Sequence, residues 1–308
     1  MEASITFKSV AKKIKADTLL ADLSFGVEKG TRFSLVGPNG SGKSTIIKLL
    51  SGILHKDKGS IYIKGYDINI RTYKIKSIIG YMSQVVEFDN NMNIFDNISI
   101  YGQLHGINRS EISKKIVDLS KKLDFDTYLY NYPLELSYGL LRVIMFARSI
   151  IHNPEILLLD EPVANIDPLY KEKIWNYICR DLSEITIFFA TNNFNDAQEY
   201  SHRIAILYQG NIKYNGTFKN LVKSARGLAK FTISFRDRIS EQLVKNISLN
   251  PQIIEPKISD HKLEFYSVNK TEYFKILKFS LDSEIDDIDI SKCTLEDIFK
   301  GIDSKEEK

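Results

Sequence analysis

The sequence predicts an α/β protein with a mostly parallel central sheet, followed by a smaller α+β domain. Two aliphatic runs, ILLLD at 156–160 and ITIFFAT at 185–191, are typical of strands buried on both faces of a parallel sheet. Segments with helical spacing of apolar residues separate the strand-like segments, and this alternation indicates βαβ units. From about residue 221 the order changes to β-α-β-β-α-β.

The first elements are strand-like. ITFKSV at 5–10, LLADLSFGVEKG at 19–30 and TRFSLV at 31–36 are predicted strands, and Lys29-Gly30 marks the turn before the third. TRFSLV runs directly into a glycine-rich segment, and IIKLLSGIL at 46–54 follows with apolar residues at helical spacing. A strand, a glycine loop and a helix therefore occur in the order that a phosphate-binding loop requires.

The middle of the chain continues the alternation. SIYIKG at 60–65 and SIIGYM at 77–82 are predicted strands, and residues 92–130 are predicted to be helical and polar. LLRVIMFARSIIH at 140–152 is a predicted apolar helix. NFNDAQEYS at 193–201 is a further predicted helix, and RIAILYQ at 203–209 is a strand. These elements complete the predicted sheet.

The last part of the chain is expected to form an accessory domain at 221–303, with a flexible tail at 304–308. Its strands are predicted in KFTISF, IIEPKI, KLEFYSV and IDDIDIS, and its helices in DRISEQLVKNI at 237–247 and TEYFKILKFSLDSE at 271–284. This order matches a small split βαβ domain.

Composition limits the class of protein. The chain has 308 residues, of which 43% are hydrophobic and 26% charged, enough to bury a core in each of two domains. A net charge of +3, without a basic cluster that contains aromatic residues, argues against a nucleic-acid partner. Cys179 and Cys293 lack the spacing of a zinc site. Because no apolar run is long enough to span a bilayer, other subunits must cross any membrane at which the chain works.

The glycine loop is the strongest motif. It fits the pattern G-x-x-x-x-G-K-[ST] and consists of Gly37, Pro38, Asn39, Gly40, Ser41, Gly42, Lys43 and Ser44. A chain of this length matches that pattern by chance roughly once in a hundred cases, so a plain glycine-rich turn is the weaker interpretation. We expect its N–H groups to surround the β- and γ-phosphates, Lys43 to reach the terminal oxygens, Ser44 to bind Mg²⁺, and Thr45 to assist at the α-phosphate.

Two acidic residues follow the buried run ILLL. Asp160 lies at the predicted carboxyl end of this strand, where a carboxylate can hold the water shell of Mg²⁺. Glu161 follows directly and is expected to polarise the water that attacks the γ-phosphate. A purely structural Asp-Glu pair at a strand end is the alternative.

With both phosphate motifs in place, the chain resembles the ATP-binding subunit of an ABC transporter over about residues 1–220, and less closely over 221–300. The resemblance implies a P-loop NTPase fold with a RecA-like core, an antiparallel β subdomain and a helical subdomain at about 85–150. TLEDIF at 294–299 resembles the end of the appended domain in a drug- and lipid-export branch of that family.

The resemblance also implies roles for residues outside the two motifs. The family's LSGGQ segment contacts the γ-phosphate of ATP bound by the other subunit of a head-to-tail dimer, and here the signature segment reads LSYGL at 136–140. Ser137 and Gly139 are expected to make this contact. Gln84 resembles the family's lid glutamine and would link the metal to the helical subdomain. Asp167 lies in the segment NID that resembles the family's D-loop.

Several positions depart from the family pattern. Asn192 occupies the position of the usual histidine, so it can donate a hydrogen bond to a γ-phosphate oxygen but cannot carry a proton. Tyr138 replaces a glycine and Leu140 a polar residue, which indicates the loss of a close approach to phosphate and of one polar contact. Alternatively, Tyr138 is a tolerated surface ring and Leu140 belongs to the apolar face of its helix. Ile14 aligns with the aromatic residue that stacks on adenine, and Phe7 is a candidate substitute.

The resemblance implies an ATPase that uses ATP and Mg²⁺. It would pair with a second ATP-binding subunit, identical or different, and drive a separate transmembrane permease, most plausibly an exporter, from the cytoplasmic face of the membrane. The departures predict slow hydrolysis by an isolated homodimer, which a heterodimer with one efficient site would explain. Two alternatives remain: a nucleotide-gated module with little hydrolysis, and a soluble ABC ATPase that acts in translation or DNA repair. The second usually has tandem domains or a coiled-coil insertion, neither of which this sequence contains.

Overall fold

The computed structural model describes residues 3–14, 17–70, 72–224, 229–239, 244, 253–267, 285–292 and 294–299. The chain divides into two compact units, residues 1–216 and residues 217–308.

In the part of the first unit that the structure describes, ten strands form two sheets. They are β1 (Ala3–Ile14), β2 (Asp17–Glu28), β3 (Arg32–Val36), β4 (Lys58–Ile63), β5 (Tyr66–Asp67), β6 (Ile79–Met82), β7 (Ile156–Asp160), β8 (Thr186–Thr191), β9 (Arg203–Tyr208) and β10 (Asn211–Gly216). The central sheet has the order β10-β9-β3-β8-β7-β6, and only β10 is antiparallel to its neighbour. The predicted mostly parallel sheet is therefore confirmed.

Burial explains the two aliphatic runs. Every residue of β7 and β8 is buried, because both strands lie inside the central sheet and are covered on both faces. The second sheet has the order β2-β1-β4-β5 and is antiparallel, as the family resemblance implies. One hydrophobic cluster joins the two sheets, and within it the ring of Phe25 lies 4.5 Å from that of Phe7 and 5.7 Å from that of Phe33.

The described residues of the first unit form seven α-helices. They are α1 (Lys43–Leu50), α2 (Thr72–Ile78), α3 (Ile94–Leu104), α4 (Arg109–Lys122), α5 (Tyr138–Ile150), α6 (Pro168–Asp181) and α7 (Phe194–Tyr200). Side chains cap several N-termini: Asn93 accepts a hydrogen bond from Asp96 N before α3, and Asn108 accepts one from Glu111 N before α4. The sequence prediction of a strand over 77–82 was partly wrong, because α2 continues through Ile78 and β6 begins at Ile79.

A second hydrophobic cluster forms the helical part of the first unit. Apolar residues of α3, α4 and α5 pack there against the face of β7 and β8 that lies opposite the first cluster; they include Ile94, Ile98, Ile112, Ile116 and Val143. The charged residues of α4 remain on its outer face, as the 3.6-residue spacing predicts. The central sheet is thereby covered on both faces.

The second unit contains α8 (Phe218–Ser224), β11 (Ala229–Phe235), β12 (Ile254–Ile258), β13 (Lys262–Ser267) and β14 (Ile285–Lys292). These strands form an antiparallel sheet of order β12-β13-β11-β14, the order of a split βαβ domain, and Phe231 stacks on Phe265 in its core. The four predicted strands are confirmed. The helix predicted at 237–247 was wrong at its start, because residues 237–239 are not helical, and most of its remainder lies outside the described residues. The helix predicted at 271–284 and the tail predicted at 304–308 lie wholly outside them.

Among the helices that the structure describes, none combines the length and the apolar character needed to cross a lipid bilayer.

Candidate functional site

The glycine loop connects the carboxyl end of β3 to the first turn of α1. Gly42 has φ of 106°, and a Cβ atom there would lie 2.6 Å from Leu20 Cδ2. A Cβ atom at Gly37 would lie 2.1 Å from the carbonyl oxygen of Leu207. Gly42 is therefore required both for its backbone conformation and for space, and Gly37 is required for space. The hydroxyl of Ser41 is buried in this loop and has no hydrogen-bond partner among the described residues, which leaves a polar group for a ligand.

Lys43 begins α1, and its ammonium group is buried beneath the glycine loop. Nζ donates hydrogen bonds to the carbonyl oxygens of Gly37 at 2.8 Å and Pro38 at 3.0 Å. An ammonium group has three donors, so one is left for an anionic ligand. Burial lowers the pKa of Lys43, and the charges of Glu161 and Asp160 partly oppose this effect.

Ser44 and Asp160 bring two oxygen ligands together. The hydroxyl of Ser44 donates to Asp160 Oδ1 at 3.1 Å, and Asp160 is buried at the end of β7. Burial raises the pKa of Asp160, while the Ser44 hydroxyl and the charge of Lys48 oppose the shift. Mg²⁺ prefers hard oxygen ligands such as a hydroxyl and a carboxylate, and usually keeps several waters. The pair therefore fits a magnesium ion that also binds phosphate oxygens.

Glu161 follows β7 in a left-handed backbone conformation with φ of 47°, and its N–H donates to the carbonyl oxygen of Ala190 at 2.9 Å. The Thr191 side chain and the backbone N–H of Asn192 hydrogen-bond to its carboxylate. Burial raises the pKa of Glu161, while the charge of Lys43 and these two hydrogen bonds oppose the shift. The carboxylate is thus oriented by the end of the neighbouring strand, and its raised pKa makes it a stronger base than a solvated glutamate.

A cavity of about 800 Å³ unites most of the predicted site residues. Its lining includes Asn39, Gly40, Gly42, Lys43, Ser44, Thr45, Gln84, Glu161 and Asn192. Asn192 Nδ2 donates to Asn39 Oδ1 at 3.3 Å, so the residue at the histidine position contacts the glycine loop directly. This cavity lies at the carboxyl ends of the parallel strands, where open α/β sheets bind ligands.

Some lining residues were not predicted from the sequence. They are Leu19, Val163, Ala164, Asn165, Thr191, Asn193 and Asp196. Thr191 had a detectable signal, because it is the polar residue that ends the apolar run ITIFFA. Asn165 begins the segment NID that resembles the D-loop, and the others have no distinctive pattern of their own.

The signature segment lies outside the lining of this cavity. Ser137 is the N-cap of α5, and its Oγ accepts a hydrogen bond from Leu140 N at 3.3 Å. Leu140 is 4% exposed and belongs to the hydrophobic cluster of the helical part, whereas Tyr138 is 47% exposed. The burial of Leu140 confirms that it belongs to the apolar face of its helix. The ring of Tyr138 lies at the surface, and that it is tolerated there stays a prediction.

Asp167 also lies outside the lining of the cavity. It is the N-cap of α6, and its Oδ1 accepts a hydrogen bond from Leu169 N at 2.9 Å. Within this chain its contact is therefore structural, and its role in a D-loop stays a prediction.

The adenine-stacking residue is not identified by the structure. Phe7 was wrong as a candidate, because it is 2% exposed and stacks on Phe25 inside the core. Ile14 ends β1, but its side chain is outside the described part of the chain. Leu19 is the apolar residue that lines the cavity close to this strand pair.

Comparison with known proteins gives one consistent family. Residues 20–164 match the family model described as ABC transporter. The probable multidrug ABC transporter ATP-binding protein YbhF of Escherichia coli (strain K12) is 30% identical over 216 residues, which are 70% of this chain and 37% of that protein. The molybdate/tungstate import ATP-binding protein WtpC of Pyrococcus abyssi is 31% identical over 232 residues, which cover 73% of this chain and 66% of that protein. The chain thus spans little more than a third of the first relative and about two thirds of the second.

Solved structures support the same fold. A structure titled as the ATP binding subunit of an ABC transporter has a TM-score of 0.67 at 22% identity, covering 72% of this chain and 92% of that one. A bacterial Atm1-family ABC exporter with ATP bound has a TM-score of 0.64 at 27% identity, and the match covers 73% of this chain and 40% of that one. The first of these is similar in fold alone, whereas the second is also similar in sequence.

Proposed function

The chain carries an ATP-binding domain of the ABC transporter family, and we propose that it is the ATP-binding and ATP-hydrolysing subunit of a transporter. The observation that carries this proposal is the convergence of Lys43, Ser44 and Glu161 on one cavity, with Asp160 in contact with Ser44. A cavity of about 800 Å³ is large enough for a nucleotide.

In this proposal the glycine loop binds the triphosphate of ATP. Backbone N–H groups of the loop and of the first turn of α1 donate to the β- and γ-phosphates, and Thr45 assists at the α-phosphate. Lys43 directs its third N–H toward the terminal oxygens while Gly37 and Pro38 hold the other two. Ser44, Asp160 and Gln84 would hold Mg²⁺, which would neutralise charge on the phosphates.

Glu161 then orients and polarises the attacking water. Its carboxylate is held by Thr191 and by the N–H of Asn192, so its free oxygen lone pairs accept a hydrogen bond from water in the cavity. The side chain of Asn192 donates to a γ-phosphate oxygen once it leaves Asn39. Because the side chain of Asn192 is neutral, we expect slower hydrolysis than a histidine at this position would allow.

The partner subunits follow from the residues outside the cavity. Ser137 is exposed at the tip of α5, and with Gly139 it closes on ATP bound by a second ATP-binding subunit, identical or different. Asp167 crosses the same dimer interface. A separate transmembrane permease completes the transporter, and the chain works at the cytoplasmic face of the membrane. The resemblance of residues 294–299 to an export branch favours export, while relatives named for import and for multidrug transport both occur.

A second candidate function is a nucleotide-gated module that hydrolyses little ATP. It is favoured by the exposed ring of Tyr138 beside Ser137, because a bulky side chain there would hold a bound phosphate away from the helix tip. Glu161 and its two hydrogen bonds favour hydrolysis instead.

Phosphate release by the purified chain separates the two candidates. Steady-state release that is at least tenfold lower in Glu161→Gln than in the unchanged chain supports hydrolysis through Glu161. ATP binding without measurable release would support the nucleotide-gated module. Release that is equal in the two proteins would contradict the role of Glu161. Glu172→Gln, which neutralises an exposed carboxylate on α6, is the matched control.

A further inference from the structure

Arg142 is fully buried in α5, which is otherwise almost entirely apolar along that face. A buried guanidinium is costly unless its donors are satisfied. Among the described residues it forms no ion pair; its hydrogen-bond partners are backbone carbonyl oxygens. Nη1 donates to Ser83 O and Gln84 O, each at 2.8 Å, and Nη2 donates to Glu161 O at 2.6 Å and more weakly to Asp160 O at 3.5 Å. Only Nε has no hydrogen-bond partner among the described residues.

These carbonyl oxygens belong to two segments that line the candidate nucleotide site. Gln84 and Glu161 both contribute to the cavity, and Arg142 holds the peptide group of each. A hydrogen bond from a charged donor is about twice as strong as a neutral one, and the planar fork of arginine fixes direction as well as distance. A shift of α5 therefore displaces both peptide groups, and with them the two side chains.

The same helix begins at the exposed tip of the signature segment. Ser137 caps α5, and Arg142 lies five residues further along the same helix, within its second turn. A short rigid path thus connects Ser137, which the proposed function places on the second subunit's ATP, with Gln84 and Glu161 at this chain's own ATP.

A second arginine of α5 provides a comparison. Arg148 donates to Glu87 O at 2.7 Å, and its guanidinium lies 4.7 Å from the ring centre of Phe88. It therefore holds the far end of the segment that follows Gln84, and it has no described contact with Gln84 or Glu161. Arg148 shares the helix of Arg142 but is only partly buried, and it lacks the link to the cavity.

We propose that Arg142 is a positioning residue that couples the two nucleotide sites of the dimer. It fixes Gln84 and Glu161 relative to the signature helix, so that closure of the other subunit on Ser137 changes the geometry at this chain's own ATP. The proposal rests on the proposed function, since it assumes ATP at the glycine loop.

Hydrogen exchange with and without Mg²⁺ and ATP tests the coupling in the full chain. In the unchanged chain we expect ATP to slow exchange at the glycine loop, at 83–88 and at 138–141. In Arg142→Met we expect protection of the glycine loop to persist, while protection at 83–88 and 138–141 falls at least fivefold. Arg148→Met is expected to keep the protection at 138–141, although it also replaces an arginine of α5 that donates to a backbone carbonyl oxygen.

The conservative variant separates positioning from simple packing. Arg142→Lys retains a charge and three donors, but all three are on one nitrogen, so it cannot reproduce the planar two-nitrogen fork that holds the carbonyl groups of 83–84 and 160–161. We expect Arg142→Lys to be more thermally stable than Arg142→Met without recovering protection at 138–141. Its kcat is expected to lie at least tenfold below that of the unchanged chain, with a KM within about threefold of the unchanged value.

The outcomes distinguish this inference from the proposed function. Equal protection patterns in Arg142→Met and the unchanged chain, or full recovery by Arg142→Lys in step with stability, would overturn the coupling role. Protection of the glycine loop alone in the unchanged chain would overturn it as well. Absence of any protection at the glycine loop would instead overturn the proposed function.

Discussion

A Cβ atom added to Gly139 would lie 2.5 Å from Cδ2 of the Tyr170 ring. Gly139 is in the first turn of α5 and Tyr170 in the first turn of α6, so these two helix starts are in direct contact. Packing within this chain therefore requires a glycine at position 139, independently of any phosphate. The same residue is proposed to contact ATP of the second subunit, and the two requirements can be separated by mutation.

Gly139→Ala is predicted to destabilise the chain by about 1–3 kcal/mol, because the new methyl group must displace the Tyr170 ring. In a chain that already carries Tyr170→Ala, Gly139→Ala is predicted to cost less stability than in the unchanged chain, because the ring that it would displace is absent. Urea unfolding of the four proteins gives the coupling energy between the two sites. Additive losses would contradict the packing explanation for this glycine.

Restoring the family residues in the signature segment is predicted to cost more stability at position 140 than at position 138. Leu140→Gln places an amide in the hydrophobic cluster and is predicted to cost about 1–3 kcal/mol. Tyr138→Gly lies on an exposed first turn and is predicted to cost about 1 kcal/mol or less. Denaturant midpoints measure both changes. A neutral Leu140→Gln would contradict the burial of this side chain.

The raised pKa of Glu161 predicts a pH-dependent effect on stability. Because burial holds the proton more tightly in the folded chain than in the unfolded one, stability falls as pH rises from the unfolded pKa through the raised folded pKa, and then levels off. Glu161→Gln removes this titration. Its Tm is therefore expected to exceed that of the unchanged chain at pH 7, with the difference shrinking as the pH falls through the raised folded pKa and levelling off near the unfolded value of about 4.5. A difference independent of pH would contradict the burial effect.

Asn192 is predicted to contribute a neutral hydrogen bond to hydrolysis. Asn192→Ala removes it and is expected to lower kcat roughly tenfold, the effect of one hydrogen bond to a charged group at about 1.5 kcal/mol. Asn192→His is expected to raise kcat above that of the unchanged chain, since it can donate as a cation. Phosphate release at saturating ATP measures both. An unchanged kcat in Asn192→Ala would show that the side chain stays with Asn39.

The sequence predicted those features that are encoded locally. Continuous apolar runs identified β7 and β8, and the glycine loop was recognised because its residue types and its flanking strand and helix are contiguous in the chain. The order of the four strands in the second unit also followed from alternation.

Contacts between distant residues could not be predicted in this way. The bond from Arg142 to Glu161 O and that from Asn192 to Asn39 depend on how the strands and helices pack, and neither leaves a periodic pattern. Phe7 was misjudged for a related reason: an aromatic residue in an alternating strand is equally compatible with a core and with a ligand surface, and only packing decides between them.

The central claim is that the glycine loop binds ATP through Lys43, and an equilibrium binding isotherm for ATP in the presence of Mg²⁺ tests it most directly. We predict that the unchanged chain and Lys121→Ala, which removes an exposed lysine of α4, bind with similar affinity. Lys43→Ala is predicted to bind at least tenfold more weakly, a loss of about 1.4 kcal/mol or more. Equal affinity of Lys43→Ala and the unchanged chain would contradict the account.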